Sequence, residues 1–191
     1  MTSVTIGVTI DIPEPLAARV EQVRRDSGDP LAATVRPHVT LLPPTPVDDS
    51  DLVAVLDHLY RVFARTVPFL VRLRGTDTFR PKTPVVYIPL LEGGRTCAKL
   101  AASVRSGPLD VELAYPYYPH VTVAHNVSGE ALDVAQAELE DVEFEFYVTH
   151  VRLDVQRADG SWSPHTTFEF SASAASRRAR RPGRAGRPGR R

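Results

Sequence analysis

Apolar residues recur along this chain with two periods, and the switches between them predict its elements. Residues 4–12 place Val4, Ile6, Val8 and Ile10 at alternate positions, as in a strand with one buried face. Pro13-Glu14-Pro15 opens a helix to about residue 25, striped by Leu16, Val20 and Val23, and Asp26-Ser27-Gly28-Asp29-Pro30 ends it. The next strand stops at Pro43-Pro44. Asp48-Asp49-Ser50-Asp51 is a capping cluster for a second helix, which sets Leu52, Val55, Leu56, Leu59 and Phe63 on one side. Residues 68–79 and 85–91 read as a hairpin around a turn at 80–84, and 96–104 as a third helix. A strand to about His125 follows Tyr115-Pro116-Tyr117-Tyr118-Pro119. Ser128-Gly129-Glu130-Ala131 starts a fourth helix with Leu132, Ala135 and Leu139 inward. Residues 144–156 and 167–170 close the body as strands around a turn at 158–161.

The order is strand-helix-strand-helix-strand-strand, then helix-strand-helix-strand-strand. Mixed elements with antiparallel connections predict an α+β fold of two similar lobes facing each other, each with one central strand of special composition.

Those two strands begin alike. One reads Pro37-His38-Val39-Thr40-Leu41 and the other Pro119-His120-Val121-Thr122-Val123. Alternate residues of a strand share a face, so His38 points with Thr40 and His120 with Thr122. Two such strands can enclose a phosphate between two proton-transfer groups and two hydroxyl donors. Displacement at phosphorus runs roughly in line, so an acid and a base must flank it. An unperturbed imidazole has a pKa of about 6.5, so near neutrality one ring can be neutral and the other charged. The hydroxyls can hold the non-bridging oxygens. Two histidines on separate strands, with no third ligand nearby, fall short of a metal site, and no cofactor is expected.

The segments Pro37-His38-Val39-Thr40-Leu41-Leu42-Pro43-Pro44 and Tyr118-Pro119-His120-Val121-Thr122-Val123-Ala124 resemble the doubled His-x-Thr-x signature of the 2H (two-histidine) phosphoesterases, in the branch of bacterial 2′-5′ RNA ligase-like proteins and cyclic phosphodiesterases. The resemblance covers roughly residues 5–170. It implies two pseudo-symmetric lobes of antiparallel sheet plus helices around a central cleft. It implies hydrolysis of 2′,3′-cyclic phosphodiesters to 2′-phosphates and, in some members, reversible 2′-5′ joining of RNA ends. It makes His38 and His120 the acid-base pair and Thr40 and Thr122 the phosphate ligands, without saying which histidine is the base. The alternative is a module that binds RNA ends or nucleotides in the same cleft without turnover.

Other residues add less. Tyr118 sits where an aromatic ring can stack on a base, and Arg80 lies on a turn that can reach phosphate; both are secondary substrate-binding candidates. His125 stands at odd spacing from His120 and faces away. His58, His150 and His165 belong to no motif, and the lone Cys97 reads as a small core residue.

Charge divides the chain unevenly. Its 23 basic and 23 acidic residues cancel, yet eight arginines and no acid lie from Ser171 onward. Without those eight, 15 basic residues face 23 acidic ones, so the body is near −8. An acidic body disfavours long RNA in the cleft and points to a short or small cyclic-phosphate substrate. The tail is a candidate RNA contact, or a latch onto the acidic body. We divide the chain into a phosphoesterase domain at 1–171 and a disordered Arg/Pro/Gly-rich tail at 172–191. With one cysteine, no leader and no spanning apolar run, the expected protein is a cytoplasmic monomer without a membrane partner.

Overall fold

A computed structural model describes residues 3–171; the 172–191 tail lies outside the described residues. The elements run β1 (Ser3–Asp11), α1 (Leu16–Asp26), β2 (His38–Asp48), α2 (Leu52–Phe63), β3 (Phe69–Arg74), β4 (Asp77–Thr78), β5 (Val85–Glu92), α3 (Gly94–Val104), β6 (His120–His125), α4 (Gly129–Glu138), β7 (Glu143–Val148), β8 (His150–Gln156) and β9 (Trp162–Glu169). The strands pair antiparallel in the order β7-β3-β5-β6-β2-β1-β8-β9, with β4 added beside β5. This is the α+β, two-lobed fold expected. Each lobe is four strands of the series, and β2 and β6 meet at the junction. The two special strands are therefore neighbours in the middle of one sheet, not each at the centre of its own half.

One face of the sheet carries the core. Ile6, Val8, Ile10, Val39, Leu41, Val121, Val123, Val151 and Leu153 are all but inaccessible there. Burial of side chains of this size contributes about 1.5–3 kcal/mol each. Two of the four helices cross between lobes to cover this face. α1 follows β1 but packs on β6, and α3 follows β5 but packs on β2. The strands cross as well: β3 leaves α2 to pair with β5 and β7, and β8 returns to pair with β1. Gly93 admits α3 at this density, since a Cβ there would stand 2.7 Å from the Leu70 carbonyl oxygen, at a φ of 85°.

Several boundaries differ from the sequence expectation. α1 starts at Leu16, because Pro13 and Pro15 serve the turn before it: the Pro13 carbonyl accepts from Ala17 N–H at 3.1 Å. β2 runs past Pro43-Pro44 to Asp48, pairing with β1 at residues 38–42 and again at 45–48 on either side of a register shift, while β6 pairs with it only at Val39↔Val121. Pro43 and Pro44 thus fall inside that shift, beyond the β6 ladder, where no N–H is needed. Asp51 is the N-cap of α2 but makes no side-chain cap bond, whereas Ser128 Oγ accepts from Ala131 N–H ahead of α4. The stretch read as one strand, 144–156, is two strands in different lobes, divided at Thr149. β9 begins at Trp162, not at residue 167. Among the described residues no helix is long and apolar enough to cross a membrane.

Candidate active site

The pairing Val39↔Val121 sets the geometry. Both valines are buried on the helix side, so His38, Thr40, His120 and Thr122 share the opposite face. Continuing the antiparallel register puts His38 across from Thr122 and Thr40 across from His120. The two histidines thus occupy one diagonal of a four-residue patch and the two threonines the other. Diagonal neighbours of a sheet stand about 7–8 Å apart at Cα, a span that leaves room for one phosphate between the rings.

Each ring is oriented from behind in the same way. His38 Nδ1 lies 2.7 Å from the Arg36 carbonyl oxygen, and His120 Nδ1 lies 2.7 Å from that of Tyr118. A carbonyl oxygen only accepts, so each Nδ1 carries a proton and each neutral ring keeps its lone pair on Nε2. Proline between carbonyl and histidine explains the repeated geometry. It fixes its own φ and holds the residue before it extended, so the acceptor is set before the ring arrives. Thr40 Oγ1 sits 3.1 Å from His38 Nε2, so in the neutral ring the hydroxyl donates to it. Burial lowers both histidine pKa values below 6.5, and the carbonyl bonds offset part of this. At His38, Arg24 and His120 lower it further and Asp11 raises it.

A family model described as the 2′-5′ RNA ligase superfamily matches residues 12–160. The chain belongs to that superfamily. The stretch includes both histidine motifs and ends two residues before Trp162. A Geobacillus kaustophilus protein provisionally named a phosphoesterase is 29% identical over 164 residues, 85% of this chain and 94% of its own. A Bacillus thuringiensis protein of the same provisional name is 29% identical over 146 residues, 75% of this chain and 84% of its own. Among solved structures, E. coli LigT complexed with 3′-AMP superposes with a TM-score of 0.68 at 17% identity, covering 89% of this chain and 99% of LigT. The Thermus thermophilus protein TT0787 superposes at 0.60 with 20% identity, covering 87% and 97%. These superpositions show a shared fold.

In this member of the superfamily the two lobes are not equivalent around the patch. On the second lobe Tyr87 stands opposite Thr122 and Pro89 opposite His120. Tyr87, Phe79 and Tyr118 crowd His120, with Phe79 and Tyr87 ring centroids at 5.2 and 5.4 Å from it, both edge-on. Tyr118 is 48% exposed and meets Phe79 and Tyr87 edge-on. On the first lobe the matching positions are polar, with Thr9 opposite Thr40 and Asp11 opposite His38. Asp11 accepts from Arg152 Nη1 at 2.6 Å, and Arg152 Nε donates to Asp154 Oδ2 at 3.0 Å.

The remaining candidates fall elsewhere. Arg80 is bound to Asp133 at 2.7 Å and to Gln136 at 3.2 Å, both on α4, and to Thr78, so its charge is committed there. His125 faces the helix side and holds Asp29 Oδ2 at 2.9 Å; Arg24 Nε donates to the same oxygen at 3.0 Å. His58 accompanies the carbonyls of Ser103 and Val104 at the end of α3. Cys97 is core, its thiol pushed up to about 12 by burial. Tyr117 is half-buried and donates to the Thr40 carbonyl at 2.8 Å, tying the approach to β6 onto β2. Among the described residues no three His, Cys, Asp or Glu side chains gather as a metal site. Thr9, Asp11, Arg152, Asp154 and Trp162 were not legible as cleft residues. The available signal was Gly7, a lone glycine in a strand pattern, which marks a close approach.

Proposed function

We propose that the chain opens 2′,3′-cyclic phosphodiesters to 2′-phosphates, with His38 and His120 as the acid-base pair and Thr40 and Thr122 on the non-bridging oxygens. The observation that carries this reading is the Val39↔Val121 register, which sets two imidazoles and two hydroxyls on crossed diagonals of one patch. Water attacks phosphorus from one side and gives its proton to the neutral imidazole. The P–O3′ bond breaks on the other side, and the protonated imidazole supplies O3′ with its proton. The product is a 2′-phosphate and a free 3′-hydroxyl. The rings have then exchanged protonation states and reset through solvent. Thr40 is free to turn its hydroxyl from His38 Nε2 to the phosphate as the latter enters. A 5′-hydroxyl in place of water turns the same geometry to 2′-5′ joining. Crystals of LigT with 3′-AMP, phosphate, ATP and NADP+ support a nucleotide phosphate as the ligand class. Residues 1–171 are proposed as the catalytic unit.

The test is incubation with adenosine 2′,3′-cyclic phosphate in excess EDTA. The expected product is adenosine 2′-phosphate. His38→Ala and His120→Ala each lower turnover by about 10²–10⁴-fold, the usual worth of a positioned acid or base. Wild-type rates in both variants overturn the mechanism. Binding without turnover in the native protein supports the non-catalytic module instead.

A further inference from the structure

The helices lie on the face of the sheet opposite the histidine patch. Between α2 and α3 runs a shallow groove of about 430 Å³, with Arg61 and Arg65 on one bank, Lys99 on the other and Val62, Thr66 and Leu100 among its lining. No carboxylate lines it. α3 contains no acidic residue, and α2 contains only Asp57, which does not pair with Arg61.

These cations are uncommitted. Seven arginines of the body hold carboxylates, Arg72 on Glu145 and Arg80 on Asp133 among them. Among the described residues the side chains of Arg61, Arg65 and Lys99 make no hydrogen bond or ion pair, and all three residues are exposed. Arg61 and Arg65 stand four residues apart at the end of α2. Arg95, also exposed and unpaired among the described residues, stands four before Lys99 on α3. Like charges at that spacing repel, and an anion between the banks relieves both pairs. The groove between α1 and α4 has the opposite character, with Asp26, Glu130 and Glu138 lining it against Arg19. In a body near −8, a groove with three cations and no acid concentrates positive potential where the rest of the surface opposes it.

The chain leaves the described body at the same place. Ser171 N–H donates to the Thr66 carbonyl at 3.0 Å, and Thr66 lines the groove. The eight arginines that follow are therefore joined to the body at the groove's rim, which keeps their local concentration high there. Laying them across this groove would set like charge on like. A shared polyanion satisfies both.

We propose that the α2–α3 groove and the arginines beyond Ser171 form one surface for the phosphate backbone of single-stranded RNA, separate from the histidine patch. A single file of phosphates fits a concave groove with cations on both banks. A bilayer is flat and asks for exposed apolar side chains between the cations, whereas Leu100 is buried here and Val62 half-buried. Phosphate contacts carry no sequence information, so this binding is indifferent to sequence and steeply dependent on salt. The choice of RNA over DNA rests on the phosphoesterase reading, because only ribose forms a 2′,3′-cyclic phosphate.

A fluorescein-labelled oligouridylate ending in a 3′-hydroxyl tests the surface without calling on turnover. Anisotropy titrations of the full chain at several salt concentrations give the affinity and its salt slope. With Arg61→Gln, Arg65→Gln and Lys99→Gln together, affinity at low salt is expected to fall about tenfold or more. The plot of log affinity against log salt is expected to flatten by about 0.7 for each lost phosphate contact. Arg19→Gln, Arg25→Gln and Arg72→Gln together remove the same charge away from the groove, and should leave the slope unchanged and the affinity within about threefold. Opening of adenosine 2′,3′-cyclic phosphate within about twofold of the native rate shows that the groove variant is folded. Unchanged RNA affinity in the groove variant overturns the surface. Equal losses in the two triple variants also overturn it, in favour of net charge alone. Capture by phosphatidylserine vesicles without RNA binding overturns it in favour of a membrane contact. Native protein that binds RNA through the groove but turns over no cyclic phosphate keeps the surface and removes the phosphoesterase reading; turnover without RNA binding does the reverse.

Discussion

At the scale of the residue, the proposed proton chemistry falls to two histidines with matching supports. Burial disfavours the imidazolium form, and it lowers both pKa values from 6.5. The proposed mechanism needs one ring charged and one neutral in the free protein, a state most populated between the two apparent pKa values of the pair. Both lie below 6.5, so kcat/KM is expected to peak on the acid side of 6.5 and to fall as pH rises past the higher of them. A bound phosphate anion favours the charged rings, which moves the kcat profile toward higher pH. Initial rates measured between about pH 4.5 and 8.5, at substrate concentrations below and above KM, separate the two profiles. A kcat/KM maximum above neutrality contradicts the assignment. The carbonyl behind each ring belongs to the same logic. Pro37 and Pro119 set the acceptor, the acceptor sets the tautomer, and the tautomer puts the reactive lone pair on Nε2.

At the scale of the element, the loop from α1 to β2 shapes a first-lobe cavity beside His38, and a buried charge cluster holds it. Asp29 is wholly buried, Arg24 is 4% exposed, and His125 reaches Asp29 from β6. Asp29 Oδ1 also accepts from Leu31 N–H at 2.8 Å, and Arg24 Nη1 donates to the Val35 carbonyl at 2.7 Å. Removing the carboxylate leaves the Arg24 guanidinium buried and unpaired, so Asp29→Ala is expected to cost about 3–5 kcal/mol, measured by urea unfolding. A loss below about 1 kcal/mol shows that the cluster relaxes into solvent. None of this was legible in the sequence, because Asp29 reads as a helix stop and its partners come from three separate segments. The motif was legible because it repeats, and the helices because their apolar periods are long. What failed was the end of the chain. Residues 144–156 read as one apolar run, but pairing partners decide where a strand changes lobe, and periodicity carries no partner information. Placing β9 at 167 hid Trp162, and with it the cavity wall.

At the scale of the molecule, each lobe is covered in part by a helix that follows a strand of the other. α1 and α3 each pack across the junction, and β3 and β8 change lobes, so the phosphate patch is held by the body as one unit. That unit is acidic: the chain's 23 acidic residues all precede Ser171, against 15 of its 23 basic ones. RNA approaching the cleft meets a like-charged body, and the eight arginines beyond it are the available counterweight. A chain ending at Ser171 is therefore expected to open mononucleotide 2′,3′-cyclic phosphates within about twofold of the full chain, because the site proposed for such substrates, the histidine–threonine patch, lies wholly within the body. On an oligoribonucleotide ending in a 2′,3′-cyclic phosphate the same truncation should raise KM. It should also flatten the dependence of log affinity on log salt by about 0.7 for each phosphate the arginines had engaged. Paired measurements at two salt concentrations separate this from a general loss of activity, which would lower both substrates together. Equal KM for the oligonucleotide with and without residues 172–191 would show that RNA is engaged by the body alone, and that the acidic surface is screened or bypassed at the cleft.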